Sequence, residues 1–558
     1  MTDEGKPVEV ELKLGLPGPE AEPAVVACLH EHGYRVEGLE PVRNLDLYLD
    51  TFDWTLMKNK LALRYRVANG SVMYTLKSMG AMEEGIARRM EREVPLDAPV
   101  EVPSLVRVKE IRKLVDGVIF PRKLIEQIQV RTDRRRYRVL SPEGTEIELA
   151  FDASSLSLRG LHPPRRARKL MELEAEIRQG PETALEALAS LLSGKFHYLP
   201  SKGSKLEAAV ERFKIAPPSK KPPENLRARL DDRLDLALRK ILTDQFRRFG
   251  EQLPGLKLDI DTEFVHQARV GTRRMRSALR LFRGAAPESL GAYLEEELKW
   301  LGGLLGTVRD LDVFLLNLSR FRGQVERLPG AKIKAFENWV ERHRRAPLKA
   351  LGEALESPRY RQFERRLLQF LEGPLPSRPR APLAMKSLRE VAPGLVSEKF
   401  DAVLEQGHAV LAKPKLKQFH RLRIQMKRLR YACEFVGPAF DGALDPFVER
   451  TVEIQDCLGE LQDTVFTRDF VDSLRADWKG KLVDPDLLFI LGEIYQLQAE
   501  IARERRDRFG GIWERFSSGN TVAALREVLN LQPGEDSKGP LTPALSPDAG
   551  ERGRVRGR

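Results

Sequence analysis

Apolar and charged residues alternate strictly in Val8-Glu9-Val10-Glu11-Leu12-Lys13-Leu14. Successive side chains of a β-strand point to opposite faces, so this stretch predicts a strand with two unlike faces. Val8, Val10, Leu12 and Leu14 share one face; Glu9, Glu11 and Lys13 share the other. The pattern recurs over the first two hundred residues, in Leu45 to Asp50, Leu61 to Val67, Tyr74 to Lys77, Arg89 to Glu93, Gln129 to Val139, Glu146 to Asp152 and Glu172 to Ile177. That makes about eight strands, the number at which an antiparallel sheet closes into a barrel with a narrow interior.

The signs of charge segregate by strand. Arg64 and Arg66 share a face, Tyr137 and Val139 leave Arg134 and Arg136 on the face opposite them, and Glu146, Glu148 and Asp152 align, as do Glu172, Glu174 and Glu176. A solvated face would mix the signs. The expectation is therefore a barrel whose polar face points inward and whose apolar face is covered by helices. Carboxylates are the hard ligands a divalent cation needs. Arg and Lys are the partners of an oligophosphate.

Lys214 to Asn225 is a basic, proline-rich linker, expected at 213–225. Beyond it the hydrophobic period changes from two to about 3.6, predicting helices to about residue 516. A second breaker, Gly373 to Pro382, splits that region into parts of about 226–372 and 383–516. The parts repeat each other. Phe264-Val-His266-Gln-Ala-Arg269-Val-Gly-Thr-Arg273-Arg274-Met-Arg276 aligns with Phe419-His420-Arg-Leu-Arg423-Ile-Gln-Met-Lys427-Arg428-Leu-Arg430 from its histidine onward, and Leu305-Gly306-x-x-Arg309-Asp310 with Leu458-Gly459-x-x-Gln462-Asp463. A recurring pair of landmarks predicts a duplicated helical bundle. On a helical wheel His266, Arg269, Arg273, Arg276, Arg280 and Arg283 form one stripe; His420, Arg423, Lys427 and Arg430 form its copy. Like charges at i,i+4 repel, so two such stripes suggest a ligand that brings the negative charge. Internal pairing with Asp310 and Asp463 is the structural alternative.

The chain of 558 residues carries a net charge of +12, which points to a polyanionic partner. Base-reading residues are scarce beside the arginines, so sequence-specific nucleic acid is not expected. Three distant cysteines show neither a disulfide framework nor zinc spacing, and no run long enough to span a membrane is present, so a cytoplasmic protein is expected. There is no Walker-type phosphate loop. The residues after about 532, a tail of 533–558, are rich in Pro, Gly and Ser and are expected to be disordered.

Glu9-x-Glu11-x-Lys13, with the ordered series that follows it to Ser201-Lys202, resembles the CYTH superfamily of triphosphate tunnel metalloenzymes over residues 1–212. The resemblance implies an eight-stranded antiparallel tunnel that hydrolyses triphosphates with Mg²⁺ or Mn²⁺. It implies Glu9, Glu11, Asp152, Glu172 and Glu174 as metal ligands, with Glu174 also positioning the attacking water. Lys13 would lie beside the reacting phosphate. Arg64, Arg66, Lys77, Arg134, Arg136 and Lys202 would hold the triphosphate. The register of Arg131 to Arg138 stays open, with Arg134 carried over ahead of Arg135 or Arg136.

The second half, 226–516, resembles the CHAD domain, the conserved-histidine α-helical domain, on its two histidine–arginine stripes and the Leu-Gly-x-x-Arg/Gln-Asp elements. That resemblance implies two four-helix units around a basic pore that binds inorganic polyphosphate, and an association with polyphosphate granules. His266, Arg269, Arg273, Arg274, Arg276, His420, Arg423, Lys427, Arg428 and Arg430 would line it. The expected whole is a metal-dependent triphosphatase acting on inorganic triphosphate or short polyphosphate. The alternatives are a non-catalytic granule component, or a tunnel enzyme acting on ATP or thiamine triphosphate.

Overall fold

The computed structural model describes residues 8–529 apart from 80–81, 84–85, 164, 199–200, 202, 216, 218, 220, 325–329 and 478–484. The expected tail at 533–558 lies outside the described residues. The chain forms two compact units that divide between Lys220 and Lys221.

In the first unit the elements follow in the order β1 (Val8–Gly15), α1 (Ala21–Glu31), β2 (Arg35–Asp50), α2 (Thr55–Lys58), β3 (Leu61–Ala68), β4 (Ser71–Ser78), β5 (Met82–Glu83), β6 (Ile86–Leu96), α3 (Lys109–Ile119), β7 (Ile125–Leu140), β8 (Glu146–Leu158), β9 (Arg168–Gln179), α4 (Thr183–Phe196) and α5 (Lys205–Arg212). The sheet runs β1-β9-β8-β7-β2-β3-β4-β6, and β1 pairs back onto β6. Eight antiparallel strands thus close a barrel; the two-residue β5 hangs on β6 outside the closure.

The apolar faces point outward. Leu12 and Leu14 of β1, Leu149 and Phe151 of β8, and Leu173 and Ala175 of β9 pack under Val25 and Leu29 of α1 and Leu185, Leu188 and Leu192 of α4. On another side, Leu47 and Leu49 of β2, Leu63 and Tyr65 of β3, and Val72 and Tyr74 of β4 lie under Ile111, Val115 and Ile119 of α3. Each fully buried side chain of this size contributes about 1.5–3 kcal/mol. With the apolar set spent outside, strand alternation leaves the charged set inside. The helix α5 packs Leu206 and Ala209 against Ile128, Val130 and Leu156 of the barrel. It starts at a capping box in which Ser204 and Glu207 satisfy each other's backbone N–H.

The second unit is helical: α6 (Leu234–Lys257), α7 (Thr262–Leu281), α8 (Glu288–Gln324), α9 (Gly330–Glu356), α10 (Pro358–Glu372), α11 (Leu388–Ala412), α12 (Leu416–Val436), α13 (Asp445–Asp477), α14 (Pro485–Phe516) and α15 (Gly519–Val528). Helices α6 to α9 pack each on the next, and so do α11 to α14, giving two four-helix sets. The sets share one core: Phe314 and Leu318 of α8, Phe336 and Val340 of α9, Val471 and Leu474 of α13, and Ile490 and Ile494 of α14. Helix α7 also meets α12. The helical region continues past residue 516, where α15 buries Thr521 and Leu525 and Thr521 accepts a hydrogen bond from Arg450 at 2.7 Å.

Candidate active site and candidate anion site

A cavity of about 820 Å³ runs inside the barrel. Arg64 and Arg66 of β3, Lys77 of β4, and Arg134 and Arg136 of β7 supply cations to its wall, and Glu11 and Lys13 of β1 and Glu174 of β9 supply the acid–base group. Strand register decides who meets whom. Lys13 lies opposite Glu174, and its Nζ sits 3.0 Å from Glu174 Oε1 and 3.1 Å from Glu11 Oε1. Arg134 lies opposite Asp152 and holds it through two hydrogen bonds of 2.8 and 2.7 Å, while also donating to Glu174. Arg66 lies opposite Asp46 and grips it at 2.7 and 2.8 Å. Arg64 donates to Thr75 Oγ1 at 3.2 Å.

The open register of the basic strand is resolved by these contacts. Arg134 and Arg136 line the cavity, whereas Arg135 pairs with Glu22 of α1 at 2.8 Å and Arg138 with Glu146 at 2.8 Å.

Lys202 lies outside the described residues. The side chain that enters the acids from this segment is Lys205, at the start of α5. Its Nζ is 2.6 Å from Glu174 Oε1, 2.8 Å from Asp152 Oδ2 and 3.7 Å from Glu172. The sequence holds two Ser-Lys pairs three residues apart, Ser201-Lys202 and Ser204-Lys205. The signal that distinguishes the second is the capping pattern Ser204-x-x-Glu207, which fixes the helix start. Ser201 turns its hydroxyl to Glu172 Oε1 at 2.6 Å. Asp46, the partner of Arg66, was also missed, although it sits on the polar side of the alternation Asn44-Leu45-Asp46-Leu47.

Burial alone would raise the Glu174 carboxyl, but Lys13, Lys205 and Arg134 outweigh it and hold it well below the usual carboxylate range. Burial alone would lower Lys205; Asp152, Glu174 and Glu172 outweigh it, so its ammonium is held well above the ordinary range. Lys13 is raised in the same way by Glu174 and Glu11 against its burial. All these groups are therefore ionised near neutrality.

Among the described residues no group of three or more His, Cys, Asp or Glu is placed to hold a metal ion. Glu11 and Glu174 face the cavity. Asp152 and Glu172 are 0 and 1 % exposed and lie among Arg134, Lys205 and Ser201. The register places Arg134 opposite Asp152, and Lys205 of α5 reaches both acids, so cations neutralise them locally. The Glu9 side chain lies outside the described residues; its backbone pairs with Arg89. The donor chemistry fits a hard cation: only carboxylate oxygens are offered, and Glu172 Oε2 is buried without a hydrogen-bond partner.

In the helical unit, the expected stripes separate into two parts. Arg269 and Arg273 of α7 and Arg423 and Lys427 of α12 crowd together, with Arg309 and Asp310 of α8 and Asp463 of α13 near them. Arg273 donates to the Tyr431 hydroxyl at 2.8 Å. Arg423 Nε is buried with no hydrogen-bond partner. Burial and the neighbouring arginines lower Arg269 and Arg423 despite Asp310 and Asp463. Lys427 is pushed down to about 6, first by burial and then by Arg273, Arg423 and Arg269.

Other stripe members are turned to protein partners. Arg274 donates to Gln245 at 2.7 Å and pairs with Glu434, which also receives Arg430 at 2.6 Å. These two expected ligand contacts are thus internal ion pairs, because Glu434 ends the α12 stripe between them. Arg280 and Arg283 share Glu295. His420 meets Gln462 Oε1 at 2.6 Å, Arg428 is exposed, and His266 and Arg276 are half-buried.

Residues 8–209 match the CYTH domain and residues 240–472 the CHAD domain. One chain thus carries a CYTH domain followed by a CHAD domain. Uncharacterized proteins from two strains of Mycobacterium tuberculosis are each 24% identical to it over 500 residues, 84% of this chain and 89% of theirs. The crystal structure of the CHAD domain from the plant Ricinus communis is similar at 24% identity, covering 57% of this chain and 98% of that one, with a TM-score of 0.39. A Hippeastrum protein described as a candidate adenylyl cyclase with a dominant triphosphatase activity is similar at 23% identity, covering 38% of this chain and 98% of that one, with a TM-score of 0.29. Among the described residues no helix is long and apolar enough to cross a membrane.

Proposed function

We propose that the tunnel domain hydrolyses inorganic triphosphate or short polyphosphate with Mg²⁺ or Mn²⁺, and that the helical domain binds long-chain inorganic polyphosphate. The observation that supports the first part is one cavity in which Arg64, Arg66, Lys77, Arg134, Arg136, Arg178 and Lys205 stand on the wall with the Glu11–Lys13–Glu174 group. Arg64, Arg66, Lys77, Arg134 and Arg136 bind and align phosphate oxygens; holding the chain in line lowers the barrier through positioning. Lys13 lies beside the reacting phosphorus and stabilises charge on the leaving oxygen. Glu174 is ionised, so it orients an attacking water as a hydrogen-bond acceptor. Glu9, Glu11, Asp152, Glu172 and Glu174 would hold the divalent ion, with Lys205 reaching the last three. When bound, that ion would supply charge neutralisation on the phosphate oxygens.

The crowded arginines and Lys427 support the second part. Four arginines, Arg269, Arg273, Arg309 and Arg423, against two acids leave an excess positive charge that a phosphate chain would neutralise.

A phosphate-release screen over triphosphate, ATP, thiamine triphosphate and long polyphosphate, with Mg²⁺, Mn²⁺ or chelator, tests the first part. Chelator-sensitive release that is fastest on triphosphate is the expected result. Release that chelator leaves unchanged sinks it. The pairing of the tunnel acids with Lys13, Lys205 and Arg134 favours one second reading, a tunnel that docks phosphate chains without cleaving them. Binding without release on any substrate would support that reading.

A further inference from the structure

The two ends of the barrel are unlike. Residues directly opposite each other on antiparallel strands share a face, so register extends the inner wall from residues known to line the cavity. Tyr48 of β2 lines it, and Ile128 of β7 stands opposite Tyr48. Asp46 reaches inward to Arg66, and Val130 stands opposite Asp46 on one side and Leu156 of β8 on the other. At this end the inward face is therefore apolar. Leu206 and Ala209 of α5, with Phe213 just beyond it, pack on that face and are 3, 0 and 2 % exposed. The interior of an eight-stranded barrel is only wide enough to be filled by side chains, so these suffice to occupy it. The start of α5, Ser204 and Lys205, forms the floor of the cavity. At the other end the wall is charged and open: Arg136, Glu176 and Arg178 line the cavity with side chains 29, 40 and 46 % exposed. Lys13 and Glu174, between the two ends, are 8 and 13 % exposed.

We propose that the barrel is a blind pocket entered only past Arg136 and Arg178, and that it cleaves linear phosphate chains from a free end. The inference rests on the reading that the tunnel domain hydrolyses phosphate chains. Because α5 occupies the far end, a chain reaches Lys13 and Glu174 only by leading with a terminal phosphate. A chain with one blocked end still has the other to lead with. The phosphates of a ring, the internal phosphates of a long chain and those of a chain blocked at both ends stay outside. In the step itself, the water oxygen bonds to the terminal phosphorus. The bridging P–O bond breaks with its electron pair kept by the shortened chain, and one proton of the water passes to solvent. Each turnover releases one orthophosphate and leaves a chain one unit shorter, which backs out by the way it entered.

The test uses the full-length wild-type protein, with Mg²⁺ and with Mn²⁺. The probes are linear triphosphate, long-chain polyphosphate, cyclic trimetaphosphate, and long-chain polyphosphate esterified at both ends. Gel electrophoresis and phosphorus NMR follow the products. Orthophosphate should be the first product from both linear chains, and the long chain should shorten gradually. The ring and the doubly blocked chain should react at least about a hundredfold more slowly than their linear counterparts, the scale of loss when a reacting group cannot take up its position. Fragments of intermediate length appearing before orthophosphate, or cleavage of the ring or the blocked chain at the linear rate, overturn this proposal alone. No release from linear triphosphate overturns the hydrolytic reading and this proposal with it.

Discussion

Arg134 and Asp152 face each other across β7 and β8, and two hydrogen bonds of 2.8 and 2.7 Å join them inside the barrel. Asp152 is fully buried, and Lys205 Nζ also reaches it at 2.8 Å. Arg134→Gln should cost about 3 kcal/mol, the low end for breaking a buried pair, because Lys205 still contacts Asp152. Adding Asp152→Asn should recover part of that loss. Calorimetric melting of the single and double variants checks it; additive losses would mean the pair is not coupled.

The sign of the pH dependence follows from the lowered carboxyl. Glu174 titrates lower in the folded state than its ordinary 4.5. It therefore contributes stability that is present above 4.5 and is lost as pH falls through the lower folded value. Lys205 is shifted the other way, so its contribution is present below its ordinary 10.5 and is lost only in strong alkali. Between about pH 6 and 9 neither should change stability. Glu174→Gln should flatten the acid limb of the stability curve below 4.5, read as melting temperature against pH; an unchanged acid limb would contradict the burial and pairing described.

Glu11→Gln keeps the shape of the cavity wall and removes one charge from the face shared with Lys13 and Glu174. Hydrolysis of triphosphate should fall at least about tenfold, and the metal concentration for half-maximal activity should rise. Wild-type turnover and wild-type metal dependence in this variant would remove Glu11 from the metal site.

In the helical domain, phosphate contacts release condensed counterions, so polyphosphate affinity should fall steeply with salt. Arg273→Gln with Arg423→Gln should flatten the log–log salt slope by about 1.4–1.8, taking roughly 0.7–0.9 per contact. Arg274→Gln should change it little, since Arg274 is committed to Gln245 and Glu434. Titration at several salt concentrations compares them, and an equal effect of Arg274→Gln would mean the cluster and the internal pair act alike.

Much of the tunnel could be read along the chain. Strict alternation in β1, β3 and β8 assigns each residue to one of two faces without reference to any other strand, so Glu11, Lys13, Arg64 and Arg66 were legible as one kind of face. The helical stripe at His266, Arg269 and Arg273, and its copy, were legible for the same reason, since helical geometry fixes which residues of one helix lie together.

Partnership was not legible, because it depends on register and packing between elements distant in sequence. Only the β7–β8 register puts Arg134 on Asp152 rather than leaving that acid for a cation from solution. Only the docking of α5 sends Lys205 into the acids. Only the meeting of α7 with α12 separates Arg273, which stays among the crowded cations, from Arg274, one residue on, which Glu434 neutralises. A residue's face is set by its own backbone, so the amino-acid sequence by itself determined the inward charge of the barrel and the basic helical stripes. The charge a residue feels comes from groups brought near it in space, so the tertiary structure alone decided which of those charges are already paired and which remain for a ligand.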